Sequence, residues 1–144
     1  MTDLIRVKRV RPGAKVPIRA TPGSSGFDLY ASLDGGDAIV GNYPVLIPTG
    51  IAIEAPQGCD VQIRPRSGLA RQGVLCTYGT IDADYRGELM VTMYTMALDI
   101  EHRVHDGDRI AQIVVSKLAE VAIEEAGELG ETERGAGGHG STGR

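Results

Sequence analysis

Carboxylates that could act as bases or hold a metal occur at two places in the sequence. Asp82 and Asp84 are two residues apart, so an extended segment would put both on one face, where they could bind a metal or abstract a proton. If the chain turns there, both are solvated. Asp28 is a lone acid in the apolar run Gly26–Tyr30, and its type and position leave a structural and a functional role equally open.

The run Pro65-Arg66-Ser67-Gly68 could bind an anion. Ser67 is predicted to cap a short helix, and the first backbone N–H groups of such a helix favour negative charge. Arg66 beside it adds a charge-assisted donor. The alternative is an ordinary capped helix with a surface arginine.

Glycines are concentrated in the last part of the chain, from about Gly127, where no apolar periodicity remains. This composition predicts a flexible, disordered tail. Gly135, Gly137 and Gly140 have the spacing of a dinucleotide fingerprint, but that motif needs a following helix, which we do not expect here. Glycine N–H groups can still approach an anion, and the tail also holds three phosphate-type ligands: Arg134, Ser141 and Thr142.

The histidine and cysteine pattern favours neither zinc nor disulfides. His102 and His105 have no third soft ligand nearby, so we expect them in a solvated loop. Cys59 and Cys76 are too few for a disulfide framework and are predicted to be buried, reduced thiols.

The composition indicates one globular domain. The 144 residues are 42% hydrophobic, which is enough to form a core. The net charge of -4 argues against a general nucleic-acid binder. No apolar run is long enough to span a bilayer and the first residues lack the pattern of a signal peptide, so we expect a soluble, cytoplasmic protein without a membrane partner.

The elements that must position these groups are predicted to be strands. The chain has 20 glycines and 7 prolines, and turn signals separate runs of alternating apolar residues, which is typical of an all-β sandwich or jelly roll. One short helix is predicted over 67–72, ended by Gly73. The predicted strands are 45–53 (interrupted at Pro48 and Gly50), 61–64, 89–96 and 110–115, with a further one through Leu118, Val121 and Ile123. Residues 89–96 are apolar on both faces and should be buried on both, inside the sandwich or against another subunit.

Taken together and in order, these segments resemble the trimeric dUTP pyrophosphatase (dUTPase) family. The resemblance covers essentially the whole chain, and five motifs in this order are highly specific although each alone is weak. The motifs are Gly26–Ser32, Pro65–Ala70, Gly79–Glu88, Gly107–Gln112 and Arg134–Gly143.

The resemblance implies a β jelly roll (a β-clip) that forms a homotrimer with active sites at the subunit interfaces. Residues 1–126 would be the catalytic domain, and residues 127–144 would be an arm that closes over a neighbouring subunit's site. The implied reaction is Mg²⁺-dependent hydrolysis of dUTP to dUMP and pyrophosphate, which keeps uracil out of DNA and supplies dUMP for dTMP synthesis.

The resemblance also implies roles for single residues. Asp82 would activate a water for in-line attack on the α-phosphorus, and Asp28 would hold metal-bound waters. Tyr85 would pack against the deoxyribose and exclude a 2′-hydroxyl. Uracil would be read by the backbone of a hairpin at about Cys76–Ile81, which includes Gly79, Thr80 and Ile81. The implied phosphate and arm ligands are Arg66, Ser67, Gly68, Gln112, Arg134, Gly138, Gly140, Ser141 and Thr142.

This sequence departs from the family pattern at three places. The connection from Gly73 to Gly79 is shorter and lacks a common Asn. His139 replaces a Phe that stacks on uracil; its imidazole could still stack, or it could be a solvated tail residue. Thr95 replaces another common Asn, for which the sequence offers no physical account.

Two other functions remain as alternatives. A dCTP deaminase shares the fold but needs a Glu where this chain has Thr92. A non-catalytic trimeric binding protein would be expected to have lost Asp82, Arg66 or Arg134, and all three are present.

Overall fold

A computed structural model describes residues 3–140 and Gly143, in which eleven strands and one short helix follow one another. The first elements are β1 (Arg6–Arg9), β2 (Gly26–Tyr30), β3 (Asp37–Val40), β4 (Val45–Pro48), β5 (Ile51–Glu54) and β6 (Cys59–Arg64). Then follow α1 (Ser67–Arg71), β7 (Val74–Cys76), β8 (Gly79–Ile81), β9 (Met90–Thr95), β10 (His102–His105) and β11 (Arg109–Lys117).

All strand pairs are antiparallel, and they form two main sheets with two short ribbons. The larger sheet has the order β2-β11-β6-β8, the smaller has the order β4-β9-β7, and the ribbons are β1-β5 and β3-β10. Alternate side chains of both sheets meet in one core, to which the larger sheet contributes Leu29, Val61 and Ile113 and the smaller Ile47 and Val91. The predicted all-β jelly roll with one short helix is confirmed.

The predicted strand over 45–53 is two strands in different sheets. β4 pairs with β9 and β5 pairs with β1, so the interruption at Pro48 and Gly50 is a corner rather than a bulge. Gly50 has φ of 70°. A β-carbon there would lie 2.6 Å from that of Ala14 and 2.7 Å from the Ser32 hydroxyl oxygen, so only glycine fits this corner.

Gly50→Ala is therefore expected to destabilise the fold by about 2–4 kcal/mol, through left-handed backbone strain and overpacking. Gly58→Ala is the matched control, because Gly58 has φ of 72° but open space around its added β-carbon. It should lose only the strain component, about 1–2 kcal/mol. Urea unfolding of both variants measures the difference, and equal losses would show that the Gly50 corner is not tightly packed.

Three other strand and helix predictions need correction. Leu118, Val121 and Ile123 form no strand: they are 57%, 83% and 100% exposed, because no described strand pairs with them or covers their apolar side chains. Ser67 is not the helix cap; Arg66 is, and no side chain caps the helix. The burial of β9 is one-sided within this chain, since Val91 is fully buried whereas the opposite face is half-exposed.

The histidine prediction was also wrong, whereas the thiol prediction holds. His102 and His105 lie on β10 rather than in a loop, and His105 Nδ1 is 2.7 Å from an Asp37 carboxylate oxygen. Both cysteines are free; Cys76 is buried, which raises the pKa of its thiol to about 11, and Cys59 is half-buried. No helix in the described part of the chain is long and apolar enough to cross a membrane.

Thr95 acquires an account from the structure. Its side chain is fully buried, and its hydroxyl lies 3.1 Å from the Ala97 carbonyl oxygen and 2.9 Å from that of Ile100. It therefore stabilises the turn that follows β9.

Asp106 joins two turns and makes stability depend on pH. Its carboxylate accepts the N–H groups of Leu33 at 2.8 Å and Gly35 at 2.9 Å, and these bonds lower its pKa below the ordinary 3.8. Such a group stabilises the fold above its unfolded pKa, and the contribution is lost as the pH falls through the folded value.

Asp106→Asn should therefore be less stable than the wild type at pH 7, with a difference that shrinks below about pH 4. Urea unfolding at a series of pH values between 3 and 7 measures this. A difference that stays constant over the whole range would show that the carboxylate charge is unimportant.

Candidate active site

The polar face of the larger sheet brings Asp28 and Gln112 together. They are register partners on β2 and β11, and Arg64 on β6 is the partner of Gln112 on the other side. Directly paired residues share a face of a sheet, so the three form a row across it. The neighbouring residues on these strands, such as Leu29 and Ile113, belong to the core.

Asp28 is held between two arginines. Its Oδ1 accepts from Arg66 Nε at 3.2 Å, and its Oδ2 lies 3.5 Å from Arg109 Nη1. The Arg66 guanidinium also donates to the Arg109 carbonyl oxygen at 3.3 Å. The Asp28 side chain is only 13% exposed, whereas the two guanidiniums reach solvent. With one carboxylate between two cations, this arginine cluster (Asp28, Arg66 and Arg109) keeps a net positive charge that favours an anion.

Gln112 connects the cluster to the segment before the helix. Its amide Nε2 donates to the Pro65 carbonyl oxygen at 3.0 Å. Gly26 makes room for this side chain, since a β-carbon there would approach Gln112 Cβ to 3.2 Å and its amide carbon to 2.9 Å. Ser67 and Gly68 follow at the exposed start of the helix. Four of the predicted anion ligands are thus consecutive to, or hydrogen-bonded with, one another.

A separate pocket of about 220 Å³ opens beside β8. β8 is the edge strand of the larger sheet and pairs only with β6, so the backbone groups on its other side are free for a ligand. The pocket is lined by Ile63, Gly79, Thr80, Ile81, Asp82, Tyr85, Glu88, Leu89 and Met90. It therefore brings together five predicted site residues: Gly79, Thr80, Ile81, Asp82 and Tyr85.

The segment before Asp82 is not the predicted hairpin. β7 pairs with β9 and β8 pairs with β6, so the short link through Thr77 and Tyr78 crosses from one sheet to the other. Each strand finds a longer partner than the other could offer. The consequence for a ligand is that β8 presents an open edge instead of a closed two-stranded ribbon.

Asp82 and Asp84 do not share a face. Residues 82–85 form a turn in which the Tyr85 N–H donates to the Asp82 carbonyl oxygen at 3.0 Å, and both carboxylates are exposed. Only Asp82 lines the pocket. The extended-segment interpretation of the two acids is therefore wrong, and Asp82 remains the candidate base.

Three residues of this region had no role in the sequence interpretation. Glu88 lines the pocket and accepts from Arg11 through both carboxylate oxygens, at 2.5 and 3.1 Å. Arg109 completes the arginine cluster. No local pattern indicates that Arg11 and Glu88, 77 positions apart, are paired, whereas Arg109 stands inside the fourth motif.

The predicted arm ligands lie apart from both groups. In the described part of the arm, Arg134 donates to the Gly137 carbonyl oxygen at 2.8 Å, Gly138 is half-buried, and His139, with φ of 51°, and Gly140 are exposed. Ser141 and Thr142 lie outside the described residues. No pocket residue is hydrogen-bonded or ion-paired to the arginine cluster in the described ranges 3–140 and 143.

The described residues contain no group of three or more His, Cys, Asp or Glu side chains that could hold a metal ion by themselves. Mg²⁺ in nucleotide enzymes typically binds one or two carboxylates together with phosphate oxygens and water. Asp28 fits this pattern through bridging waters only, because its oxygens already face Arg66 and Arg109.

Comparisons with known proteins agree on one family. A family model described as dUTPase matches residues 13–143. A deoxyuridine 5'-triphosphate nucleotidohydrolase of Treponema pallidum subsp. pallidum is 50% identical over 147 residues, which cover 97% of this chain and 99% of the relative. Another, from Neorickettsia sennetsu, is 46% identical over 132 residues, covering 90% of this chain and 88% of the relative.

Solved structures share the fold. The dUTPase of Staphylococcus bacteriophage 80alpha, solved with dUpNHpp, superposes with a TM-score of 0.85 at 22% identity, covering 99% of this chain and all of the other. The dUTPase of phage phi11 of S. aureus, described with a structural Mg(II) ion, superposes with a TM-score of 0.79 at 18% identity and covers 90% of this chain. At these identities the structures support the architecture alone.

Proposed function

The chain belongs to the dUTPase family, and on that premise we propose that it hydrolyses dUTP to dUMP and pyrophosphate. The observation that carries the proposal is the pocket beside β8, where Asp82 and Tyr85 stand next to the open edge of Gly79–Ile81. A base, an aromatic wall and free backbone groups are what this reaction requires of a nucleotide site.

Asp82 is the proposed general base. Its carboxylate takes a proton from a water that attacks the α-phosphorus in line, and pyrophosphate leaves on the opposite side. The water oxygen is thereby incorporated into dUMP. Asp82 is supported in this role by its position in the pocket lining and by its exposed carboxylate, which no described residue neutralises by an ion pair. Positioning and charge neutralisation supply the remainder of the acceleration.

The arginine cluster is proposed to bind the triphosphate. Arg66, held by Asp28, directs a charged donor outward, and Gln112 fixes the backbone before Ser67 and Gly68. The proposed arm ligands are Arg134, Gly138, His139, Gly140, Ser141 and Thr142. Mg²⁺, when bound to the triphosphate, neutralises charge and orients the phosphates, and Asp28 would hold waters of its shell.

Base and sugar selection are assigned to the pocket. Free backbone groups along β8 can pair with the polar edge of uracil, whereas cytosine presents the opposite donor and acceptor pattern and leaves polar groups unpaired. The Tyr85 ring, 46% exposed and on the pocket wall, is proposed to pack against the deoxyribose and to exclude a 2′-hydroxyl. His139 is proposed to stack on the base.

A homotrimer is proposed to bring the parts of the site together. The pocket and the arginine cluster are not joined by a hydrogen bond or an ion pair within one chain, as described above. Exposed apolar side chains are available for contacts between subunits, among them Leu46, Met96, Leu98, Val121 and Ile123. Residues 1–126 would then form the catalytic domain, with 127–144 as the arm over a neighbour's site. Sedimentation equilibrium should give three times the 15.2 kDa chain mass.

In the cell, we place the enzyme in the cytoplasm, where it would remove dUTP and supply dUMP for dTMP synthesis. Deamination of dCTP is not favoured, because Thr92 has no group that could activate a water. Its carbonyl oxygen accepts the Thr77 N–H and joins β9 to the segment after β7.

Pyrophosphate release from dUTP, dCTP, dTTP and UTP, each with and without Mg²⁺, tests the proposed function. Release from dUTP alone, and only with Mg²⁺, is expected. Release from several nucleotides would retain the phosphate chemistry and refute base selection by the pocket. No release from any would leave a trimeric binding protein as the function of this fold.

A further inference from the structure

Tyr85 is attached to a neighbouring backbone group rather than free in the pocket wall. Its hydroxyl donates to the Glu88 carbonyl oxygen at 3.0 Å. Gly87, between them, has no room for a side chain, because a β-carbon there would come within 2.9 Å of ring atom Cε2. The orientation of the ring therefore depends on where the backbone of Glu88 lies.

The Glu88 backbone is held by its own side chain. One carboxylate oxygen accepts from Arg11 Nε and from the Gly50 N–H at 2.9 Å, and the other accepts from Arg11 Nη2. The Gly50 carbonyl oxygen accepts the Val10 N–H at 2.8 Å and the Arg11 N–H at 3.3 Å. Three segments distant in sequence thus meet at one carboxylate that is only 20% exposed.

The ion pair is strong enough to act as an anchor. Two parallel N–H···O bonds between a guanidinium and a carboxylate are stronger and more directional than a single surface contact. In agreement, the pKa of Glu88 is lowered, first by its hydrogen bond to Arg11. Arg11 does not line the pocket and precedes residues 13–143, which the family model matches.

On the basis of the proposed function, we infer that Arg11 and Glu88 are positioning residues for sugar selection: their ion pair fixes the Glu88 carbonyl that holds the Tyr85 hydroxyl. Neither touches the reacting atoms. Loss of the pair lets the ring tilt away from the sugar, which admits a ribose hydroxyl while the base Asp82 and the phosphate ligands remain in place. The expected signature is weaker discrimination against UTP with little change in the maximal rate on dUTP.

Arg11→Met keeps the aliphatic stem and removes the ion pair. Arg6→Met is the matched control, because Arg6 also joins the N-terminal segment to a glutamate, Glu54, at 3.1 Å, away from Tyr85. Arg11→Met should lower the ratio of kcat/KM for dUTP over UTP by about tenfold, with kcat on dUTP within about twofold of the wild type. Arg6→Met should leave the ratio unchanged. Equal ratios in the two variants would overturn the inference.

A double variant tests whether the effect passes through Tyr85. Tyr85→Phe removes the hydroxyl and should itself weaken discrimination, and Arg11→Met should add nothing in that background. Additive losses would overturn the proposed route. If Arg11→Met does not fold, Arg11→Lys, which keeps the charge without the two-pronged contact, takes its place with the same expected direction.

Hydrogen exchange of the free protein separates this inference from the proposed function. The amides of 82–89 should exchange faster in Arg11→Met than in Arg6→Met, whether or not dUTP is hydrolysed. Equal exchange in both variants would overturn the anchor. A wild-type protein inactive on dUTP would refute the proposed function and the sugar-selecting role, and exchange would still decide whether the ion pair anchors the Tyr85 segment.

Discussion

Asp82→Asn is expected to bind dUTP about as tightly as the wild type and to hydrolyse it about 10²–10⁴-fold more slowly. The amide keeps the size and polarity of the side chain but cannot accept the water's proton. Asp82 lies at the end of an edge strand and on the pocket wall, so its replacement removes the base without moving the strand.

Asp84→Asn is the matched control. Asp84 lies in the same turn, is equally exposed and does not line the pocket. Its replacement should change kcat by less than about threefold, which is the range of a change in surface charge. Single-turnover rates and equilibrium binding of dUTP to each variant provide the comparison. Similar rates in both variants, or a loss of binding in Asp82→Asn, would remove Asp82 from its role as base.

Removal of residues from Gly130 onward should abolish most of the turnover and leave the rest of the protein folded. The described part of this segment contains no strand or helix, and its hydrogen bonds join only residues of the segment itself, such as Arg134 and Gly137. Its removal therefore exposes little core. The loss of activity follows from the loss of the proposed phosphate ligands and of the closure that excludes water.

The truncated protein should keep the wild-type melting temperature and oligomeric mass while kcat/KM falls by about 10²-fold or more. Arg134→Gln should reproduce part of the loss, whereas Glu133→Gln, its exposed neighbour, should not. Full activity of the truncated protein would show that the segment has no part in catalysis. Loss of folding would show that it belongs to the domain.

Local patterns predicted most of the fold. Alternating apolar residues indicated β6 and β9, and Gly73 marked the end of the helix, where its φ is 76°. These features depend on a few neighbouring residues. The break of 45–53 into two strands was less visible, because the corner at Gly50 is decided by contacts with Ala14 and Ser32, which are distant in sequence.

The site was predictable as a set of residues but not as an arrangement. Asp82 and Tyr85 stood in one motif, and the structure places both on the pocket wall. The pairing of Arg11 with Glu88 depends on how the N-terminal segment crosses the Gly50 corner, which no motif encodes. Likewise, the open edge of β8 results from the choice of β6 as its partner.

The fate of the attacking water tests the account most directly. A single turnover of dUTP in ¹⁸O-labelled water with Mg²⁺ should place one labelled oxygen in dUMP and none in pyrophosphate, as expected for Asp82-assisted attack on the α-phosphorus. Asp82→Asn should yield the same labelling at a greatly reduced rate. Label in pyrophosphate would move the attack to the β-phosphorus and contradict the proposed mechanism.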